Sequence, residues 1–269
     1  MIFGMPTLIE LNGLEETMVL CQELGLHFVE LNMNLPQYQL NHLEKIEELK
    51  RLKDKYPLFY TIHLDENLNV SDFNPLVAKA YMETVERTIQ VAKRLEIPIL
   101  NMHMNHGVHF TLPDRKVKLF EQYRETYLES ITGFGDMCEQ AIGHDDIHIC
   151  IENTDGFMEY EKEAIELLLQ SNVFALTWDI GHSNSCNNKD EAFIMEHANQ
   201  LQHFHIHDAS NKSDHMTLGT GEIDLMQRLV IAKKNNCRCV VETKTVDALR
   251  KSIQWLKANY YLEGKDNVC

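Results

Sequence analysis

Side chains that can bind metal ions or transfer protons stand at or near the carboxyl end of seven of eight short apolar runs in this sequence. These residues are Glu30, His63, His103, Glu152, Asp179, His205 with His207, and Glu242. Carboxylate oxygens and imidazole nitrogens are donors that divalent cations use in proteins. If the runs are strands whose ends meet, the sequence predicts that these side chains surround one site.

The alternation of side chains along a strand predicts which of these residues share a face. In Ile147-His148-Ile149-Cys150-Ile151-Glu152 the isoleucines occupy one face, so Glu152 lies on the other. The same two-residue alternation predicts that further ionisable residues point away from their apolar neighbours. These residues are Asp179, His205, His207, Glu242 and Lys244. Several charges at one level cost several kcal/mol per ion unless something compensates them. A divalent cation is the simplest compensation, with the predicted ligands Glu152, Asp179, His205 and Glu242.

Helix-like stretches separate the apolar runs along the whole chain. The predicted strands are Ile2–Gly4, Phe28–Asn32, Leu58–His63, Pro98–His103, Ile147–Glu152, Val173–Asp179, Leu201–His207 and Arg238–Glu242. The predicted helices are 12–25, 40–54, 75–95, 114–142, 159–171, 189–199, 222–235 and 246–262. Strands that alternate with helices predict parallel βαβ units. Eight units in 269 residues predict an α/β fold, a single (β/α)8 TIM barrel over 1–269, with the ionisable residues at its carboxyl-terminal mouth.

Local signals agree with this assignment of helices. Asn74 and Pro75 supply a capping residue and a first-turn proline for one helix, and Glu15 and Glu16 fall in the first turn of another. The alternative fold is an open doubly wound sheet, which would usually carry a glycine-rich phosphate turn after the first strand. The turn here is Gly4-Met5-Pro6-Thr7-Leu8, which lacks that fingerprint.

Composition limits the partners that we expect for this protein and the cellular compartment in which we expect it. The formal net charge is −16, with 41 acidic and 25 basic residues, and such a balance opposes nonspecific binding to nucleic acid. The seven cysteines include no Cys-x-x-Cys pair, so we expect reduced, buried thiols rather than disulfides or a thiolate zinc site. No apolar run is long enough to span a membrane, and the first residues do not read as a signal peptide. We therefore expect a cytoplasmic protein.

The order of motifs along the chain resembles the xylose-isomerase-like TIM-barrel superfamily. That superfamily includes sugar and sugar-phosphate isomerases and epimerases, and the endonuclease IV branch of apurinic-site nucleases. The motifs are Phe28-Val29-Glu30-Leu31, Thr61-Ile62-His63, Leu100-Asn101-Met102-His103, Ile151-Glu152-Asn153-Thr154-Asp155-Gly156, Trp178-Asp179-Ile180-Gly181-His182, Phe204-His205-Ile206-His207-Asp208, His215-Met216-Thr217-Leu218-Gly219-Thr220-Gly221-Glu222-Ile223 and Val241-Glu242-Thr243.

In the isomerase and epimerase branch, the resemblance implies one divalent ion held by Glu152, Asp179, His205 and Glu242. It also implies that His182 and His215 contact the substrate or support the site. Further candidate substrate contacts are His63, His103, His207 and Lys244. Lys244 and Lys212 are the candidates for anchoring substrate hydroxyls or a phosphate.

In the endonuclease IV branch, the resemblance implies three zinc ions. Their ligands would be His63, His103, Glu152, Asp179, His182, His205, His215, Glu242 and an aspartate two residues before His215. Ser213 occupies that position, and the nearest aspartate is Asp214. Because adjacent residues do not usually present their side chains alike, we do not expect a third zinc site.

The oxygen-rich ligand set suits Mn²⁺ or Mg²⁺, with Co²⁺ or Zn²⁺ as alternatives. Such an ion would act as a Lewis acid on a sugar carbonyl and stabilise an enediolate. Glu152 and Glu242, from strands three apart in the ring, would serve as base and acid on opposite faces of the substrate. We predict a metal-dependent sugar or sugar-phosphate isomerase or epimerase. The alternatives are a zinc phosphodiesterase that cuts abasic DNA and a non-catalytic ligand-binding barrel, and a homodimer is the default assembly.

Overall fold

A closed ring of eight parallel strands forms the centre of the molecule. The computed structural model describes residues 1–210 and 213–263. The strands are β1 (Ile2–Pro6), β2 (Phe28–Asn32), β3 (Phe59–His63), β4 (Ile99–His103), β5 (His109–Thr111), β6 (Lys116–Lys118), β7 (His148–Glu152), β8 (Phe174–Asp179), β9 (Leu201–Ile206), β10 (Asp208–Ser210), β11 (Ser213–Met216) and β12 (Arg238–Val241). The order around the barrel is β1-β12-β9-β8-β7-β4-β3-β2. The predicted (β/α)8 barrel is confirmed.

Helices surround this ring and connect its strands. They are α1 (Leu14–Leu24), α2 (Leu40–Leu43), α3 (Ile46–Lys55), α4 (Pro75–Leu95), α5 (Leu119–Gln122), α6 (Arg124–Ile142), α7 (Glu159–Leu168), α8 (Ile180–Ser185), α9 (Glu191–Glu196), α10 (Leu225–Lys234) and α11 (Val246–Glu263). Residues 264–269 lie outside the described part, so the predicted domain boundary at 269 stays a prediction.

Strand alternation places apolar side chains toward the helices and polar ones into the barrel. Trp178 and Phe204 pack against each other with ring centroids 5.5 Å apart, and both are fully buried. Their neighbours Asp179 and His205 are paired across β8 and β9 on the opposite face. The apolar layer between ring and helices therefore fixes the strand register, and the register turns the ionisable residues inward.

The predicted helix starts at Asn74 and near Glu15 are confirmed. The Asn74 side chain accepts a hydrogen bond from the Leu76 amide at 3.1 Å, and Pro75 is the first residue of α4. Glu15 and Glu16 lie in the first turn of α1, where the positive end of the helix dipole favours acidic side chains.

The prediction of a single helix over 114–142 is wrong at the start of that segment. Residues 109–118 instead form the antiparallel hairpin β5–β6, and helical structure begins only at Leu119. The Leu112 amide donates to the Arg115 carbonyl at 2.8 Å, which closes a turn around Pro113 and Asp114. Proline and aspartate favour turns, and this local chemistry outweighs the helical spacing of the apolar residues that follow.

The described cysteines agree with the expectation of reduced thiols. Six of them are free and buried, and burial raises their pKa values, as for Cys21, whose pKa is about 12. Cys269 lies outside the described residues. Within residues 1–210 and 213–263, none of the helices combines the length and apolar character that a membrane span requires.

Candidate metal centre

The four predicted metal ligands converge at the carboxyl-terminal mouth of the barrel. The Nδ1 atom of His205 lies 2.9 Å from Glu242 Oε2, 3.2 Å from Glu152 Oε1 and 3.8 Å from Asp179 Oδ2. One donor atom from each residue lies within 4.8 Å of the others. All four side chains are buried, with Glu242, at 9% exposure, the most accessible.

Each candidate ligand comes from a different strand of the ring. Glu152 and Asp179 are the last residues of β7 and β8, His205 is the penultimate residue of β9, and Glu242 directly follows β12. Strands β7 and β12 are separated by β8 and β9 in the barrel order, so Glu152 and Glu242 approach the centre from well-separated directions. The curvature of the closed sheet thus aims four side chains at one point.

Three carboxylates in one buried cluster require positive charge nearby. Burial alone would raise the pKa of Glu152, but the positive charges of His205 and His103 hold it well below its usual range. Burial would lower the pKa of His205, whereas the charge of Glu152 and Glu30 raises it well above its usual value. Glu242 Oε2 is buried and, although His205 Nδ1 lies 2.9 Å away, it forms no hydrogen bond with any of the described residues. Three carboxylates and one imidazole, with one oxygen unsatisfied, form a donor set that fits a divalent cation.

A buried polar layer lies beneath the four ligands. Asn101 donates its side-chain amide to Glu152 Oε2 and accepts a hydrogen bond from Thr177 Oγ1 at 2.5 Å. This chain of contacts begins on β8, crosses to β4 and ends on the ligand from β7. Because Asn101 and Thr177 are both fully buried, the orientation of the Glu152 carboxylate is determined by the barrel interior.

Glu30 orients His205, the imidazole among the candidate ligands, in a similar way. Its Oε2 atom accepts from Thr61 Oγ1 at 3.0 Å and lies 2.9 Å from His203 Nε2. Its other oxygen, Oε1, lies 3.0 Å from Nε2 of His205. Carboxylates thus lie beside both ring nitrogens of His205. With a cation bound, a proton on Nε2 facing Glu30 would leave Nδ1 to face the cluster of candidate ligands.

His63 and His103, predicted as substrate contacts, lie against the carboxylate of Glu152. Their Nε2 atoms are 3.3 Å and 3.2 Å from Glu152 Oε2. Burial alone would lower the pKa of His63, but its hydrogen bond and charge interaction with Glu152 raise it to about 9. The two imidazoles form an edge-to-face pair with ring centroids 4.9 Å apart, on the β3–β4 side of the cluster.

His182, His207 and His215 line the opposite side of the mouth. His182 Nδ1 lies 3.4 Å from both Glu152 Oε1 and Asp179 Oδ2, and the two negative charges overcome burial to raise its pKa to about 11. His207 Nε2 lies 3.0 Å from Asp179 Oδ1. The His215 ring stacks on that of His207 at 4.3 Å, and its Nε2 lies 3.5 Å from Glu242 Oε1.

Asp214 lies among three histidines although the preceding residue, Ser213, occupies the position where the resemblance implies an aspartate, and the absence of a third zinc site stays a prediction. Asp214 Oδ1 lies 3.1 Å from His207 Nδ1, and Oδ2 lies 3.7 Å from His215 Nδ1 and 4.0 Å from His182 Nε2. His215 adopts the left-handed backbone conformation with φ 52°, and the β10–β11 pairing shifts its register between the Asp208–Met216 and Ser210–Ser213 pairs. This local irregularity turns the adjacent aspartate toward the histidines.

An open cleft adjoins the ligand cluster at Glu242 and Lys244. It has a volume of about 420 Å³ and is lined mainly by the loops after β1, β2, β3 and β12. The Lys244 ammonium lies 2.8 Å from Glu242 Oε1. Lys212, the other predicted anchor, lies outside the described residues. A larger groove of about 580 Å³, between α5, α6, α7 and α9, contains none of the four ligands.

A family model described as the xylose isomerase-like TIM barrel matches residues 18–259. The chain belongs to this family. The uncharacterized protein MJ1614 of Methanocaldococcus jannaschii is 26% identical over 215 residues, which cover 77% of this chain and 79% of that protein.

Solved structures share the whole architecture of this xylose isomerase-like barrel. A D-tagatose 3-epimerase-like protein has a TM-score of 0.79 at 21% identity, with 100% of both chains covered. The 3-keto-D-glucoside 4-epimerase YcjR from E. coli has a TM-score of 0.77 at 16% identity, covering 96% of this chain and 99% of that one. The predicted family and fold are therefore confirmed.

Several residues that hold this xylose isomerase-like site together were not predicted from the sequence. Asn153 accepts from the Asp179 amide at 2.8 Å and donates to the buried Asp190 carboxylate at 2.8 Å. Gly181 allows His207 to approach, since a Cβ there would lie 1.9 Å from the imidazole. The Glu-Asn and Asp-Ile-Gly-His motifs contain these residues, but their roles depend on contacts between distant strands.

We expect Glu30→Gln to weaken Mn²⁺ binding by about 10- to 100-fold, the usual cost of removing a carboxylate that supports a metal-bound histidine. The neutral amide can still accept from Thr61, but it no longer favours a proton on His205 Nε2. Isothermal titration calorimetry with Mn²⁺ measures the affinity, and Glu30→Asp, which keeps the charge, is expected to restore part of it. Unchanged affinity in Glu30→Gln would remove Glu30 from this role.

His106 joins the loop after β4 to α7, and we expect its contribution to stability to depend on pH. Its Nδ1 lies 2.5 Å from the buried Glu161 carboxylate, its Nε2 lies 2.6 Å from Asp155, and the hydrogen bond to Glu161 is the main cause that raises its pKa to about 8. The folded state therefore binds this proton more tightly than the unfolded state, whose pKa is 6.5. The resulting stabilisation is fully present below pH 6.5 and is lost as the pH rises through about 8.

Urea unfolding of wild type and His106→Gln at several pH values tests this expectation. The stability difference should be largest below pH 6.5 and shrink above pH 8. His109→Gln, on the exposed β5 strand, is the matched control, because it removes a histidine without altering the contact of His106 with Glu161. A His106→Gln difference that does not vary with pH would contradict the prediction.

Proposed function

We propose that this chain is a divalent-metal-dependent isomerase or epimerase of a small sugar. The observation that carries the proposal is the convergence of Glu152, Asp179, His205 and Glu242 beside an open polar cleft. Two of these carboxylates come from strands three apart and so lie on different sides of the point where a substrate would sit. The names of the two structural neighbours, a D-tagatose 3-epimerase-like protein and a 3-keto-D-glucoside 4-epimerase, support the same reaction class.

The proposed cation ligands are Glu152, Asp179, His205 and Glu242, and Mn²⁺ or Mg²⁺ suits their oxygen-rich set, with Co²⁺ and Zn²⁺ as alternatives. When bound, the cation would supply a Lewis acid that polarises a sugar carbonyl.

Glu152 and Glu242 are the proposed proton-transfer groups. Glu152 would remove the proton from the carbon next to the carbonyl, and its orientation for this step is held by Asn101. Glu242 would return a proton on the opposite face, which inverts the stereocentre, or at the neighbouring carbon, which interchanges aldose and ketose. For this step Glu242 would have to be protonated when the substrate binds, and the proton would come from solvent through the open cleft that Glu242 lines; Lys244 Nζ lies 2.8 Å from its Oε1 atom.

The histidines around the cluster are proposed to bind and orient the substrate hydroxyls. His182 and His215 are both partly exposed, at 20% of their side-chain surface, and face the mouth. His63, His103 and His207 are more deeply buried and would position the carboxylates that they contact. Lys244, whose side chain is 59% exposed, is proposed as a donor to hydroxyls further along the sugar.

Metal analysis and solvent exchange together test the proposal. Purified protein should contain one Mn²⁺-like ion per chain, and the metal-loaded protein should exchange solvent deuterium into at least one sugar from a broad panel of ketoses and aldoses. A metal-loaded protein that exchanges deuterium into none of them would contradict the proposal and favour a barrel that binds ligands without turnover.

A zinc phosphodiesterase is the second candidate, and the position of Asp214 favours it. His182, Asp214 and His215 form a separate group of metal-capable side chains, and a third group contains His63 and Glu152. The net charge of −16 opposes it, because a nuclease must approach phosphates. Three zinc ions per chain, with incision of abasic duplex DNA, would favour this candidate over the isomerase.

A further inference from the structure

The loop after the seventh barrel strand, β9, contains the glycine-rich sequence Leu218-Gly219-Thr220-Gly221. In TIM barrels that act on phosphorylated substrates, the phosphate is frequently bound by the loops after strands seven and eight and by a helix N-terminus. Backbone N–H groups of glycine-rich loops supply the hydrogen bonds. The partners of these N–H groups therefore bear on whether the substrate carries a phosphate.

In this chain the N–H groups of the glycine-rich loop bind an internal carboxylate. Asp208 Oδ2 accepts from the amides of Gly219 at 3.0 Å and Gly221 at 2.8 Å, and Oδ1 accepts from those of Ala209 at 3.0 Å and Ile223 at 3.2 Å. Asp208 is 1% exposed. A Cβ on Gly221 would lie 2.3 Å from Asp208 Oδ1, so loop and carboxylate are packed in direct contact. The position that would suit an external anion is filled by the protein itself.

In the loop after the eighth barrel strand, β12, a carboxylate of the protein likewise accepts a hydrogen bond from a backbone N–H group. It leads into α11, whose first amide, that of Val246, donates to Glu10 Oε2 at 2.7 Å. The amide of Ala248 donates to Thr245 Oγ1 at 3.2 Å. A carboxylate thus occupies the positive end of this helix dipole, where a phosphate would otherwise be favoured.

The cleft beside the ligand cluster carries negative charge of its own. Its lining includes the acidic residues Asp65, Glu66 and Glu242, whereas Lys244 is the single lysine or arginine among the described residues that line it. Lys244 is paired with Glu242. Asn34 and Asn67, which also line the cleft, offer amide donors and acceptors that match hydroxyl groups. Such a lining repels a phosphate dianion and accommodates a neutral polyol.

We propose that the substrate is a sugar without a phosphate group, and that Asp208 and Glu10 fill the two places where the barrel would otherwise bind one. The proposal rests on the sugar isomerase or epimerase function and specifies its substrate class. The substrate is then a neutral polyhydroxylated ketone or aldehyde, recognised by hydrogen bonds alone outside the reacting centre.

The first test compares matched pairs of substrates on the metal-loaded protein. Free ketohexoses and ketopentoses are each assayed for deuterium exchange beside their own terminal phosphate esters, for example D-fructose and D-fructose 6-phosphate. We expect kcat/KM for a free sugar to exceed that for its ester by about tenfold or more, the scale of an unfavourable charge contact. An ester that exchanges faster than its parent sugar overturns the proposal.

A second test does not depend on turnover, so it separates this inference from the proposed function. Inorganic phosphate is titrated into the ¹⁵N-labelled full chain, and the amide signals of Gly219, Gly221 and Val246 are followed by NMR. We expect no saturable shift, and saturable shifts at these amides overturn the inference even if no sugar is exchanged. If no sugar is exchanged while these signals stay unchanged, the proposed function fails and the account of the filled anion positions stands.

Variants in which a carboxylate is replaced by an amide test whether Asp208 and Glu10 prevent phosphate binding. Asp208→Asn and Glu10→Gln should each gain measurable inorganic phosphate binding relative to wild type, because a negative charge is removed from a set of backbone donors. If Asp208→Asn does not fold, Glu10→Gln, which alters an exposed side chain, still provides the comparison. Phosphate binding that is unchanged in folded Glu10→Gln would contradict the role assigned to the carboxylate at α11.

Discussion

Replacement of Glu152 by glutamine is expected to lower deuterium exchange at the substrate carbon by about 10²- to 10⁴-fold, the range for loss of a general base. The amide cannot accept the proton, although its size and most of its contacts are preserved. Glutamine also places an uncharged group beside His63, His103 and His205, each of which lies within 3.3 Å of a Glu152 oxygen. The loss of negative charge should therefore weaken the cation site as well as the chemical step.

Two measurements separate these effects. Deuterium exchange is assayed at Mn²⁺ concentrations that saturate the variant, as determined by calorimetry, so that any remaining defect belongs to proton transfer. The matched control is Glu161→Gln, which also removes a fully buried glutamate but acts on the His106 contact outside the cluster. Normal exchange by saturated Glu152→Gln would exclude Glu152 as the base.

Substitution of Asp179 by asparagine should reduce Mn²⁺ affinity by at least about 100-fold, because a ligand contributes no less than the groups that support it. Asp179 has two roles, as a ligand candidate and as the N-cap of α8, where Oδ1 accepts from the His182 amide at 2.8 Å. Asparagine is also a good N-cap, so the helix start is preserved while the charge is lost.

Thermal unfolding with and without metal gives a second measurement of the same change. A ligand at 100 times its Kd stabilises the folded state by about 2.7 kcal/mol, so Mn²⁺ should raise the Tm of wild type and a chelator should reverse this. Asp179→Asn should show little shift at the same concentration. Asp224→Asn is the control, since Asp224 caps α10 in the same manner, through the Gln227 amide, without belonging to the cluster. An equal Mn²⁺ shift in both variants would remove Asp179 from the ligand set.

The sequence was sufficient to predict the barrel and the four ligand candidates because both depend on short-range patterns. Alternation within single strands predicts that Glu152 and His205 face inward, and the repeat of strand and helix predicts that their ends meet. Asn101 and Thr177 were missed as supports for Glu152, because a buried amide or hydroxyl has no periodic signature. Their role appears only when β4, β7 and β8 are placed side by side.

The features that the sequence did not reveal lie where a local backbone feature changes the direction of a side chain. Asp214 reaches the histidines because His215 has φ 52°, and nothing in the sequence marks that residue as left-handed. Asp208 belongs to a recognised motif, but its acceptance of four backbone amides depends on how a loop folds back over it. Both features arise in connections after β9, where spacing rules do not apply.

The positions of the four candidate ligands along the chain have a consequence for how the protein matures. All of them come from β7, β8, β9 and the end of β12, so the first 147 residues contribute no member of this set. During synthesis the set remains incomplete until Glu242 has left the ribosome and the last strand has joined β1. We expect high-affinity Mn²⁺ uptake only after ring closure, so that acquisition of the ion reports completed assembly of the nascent chain.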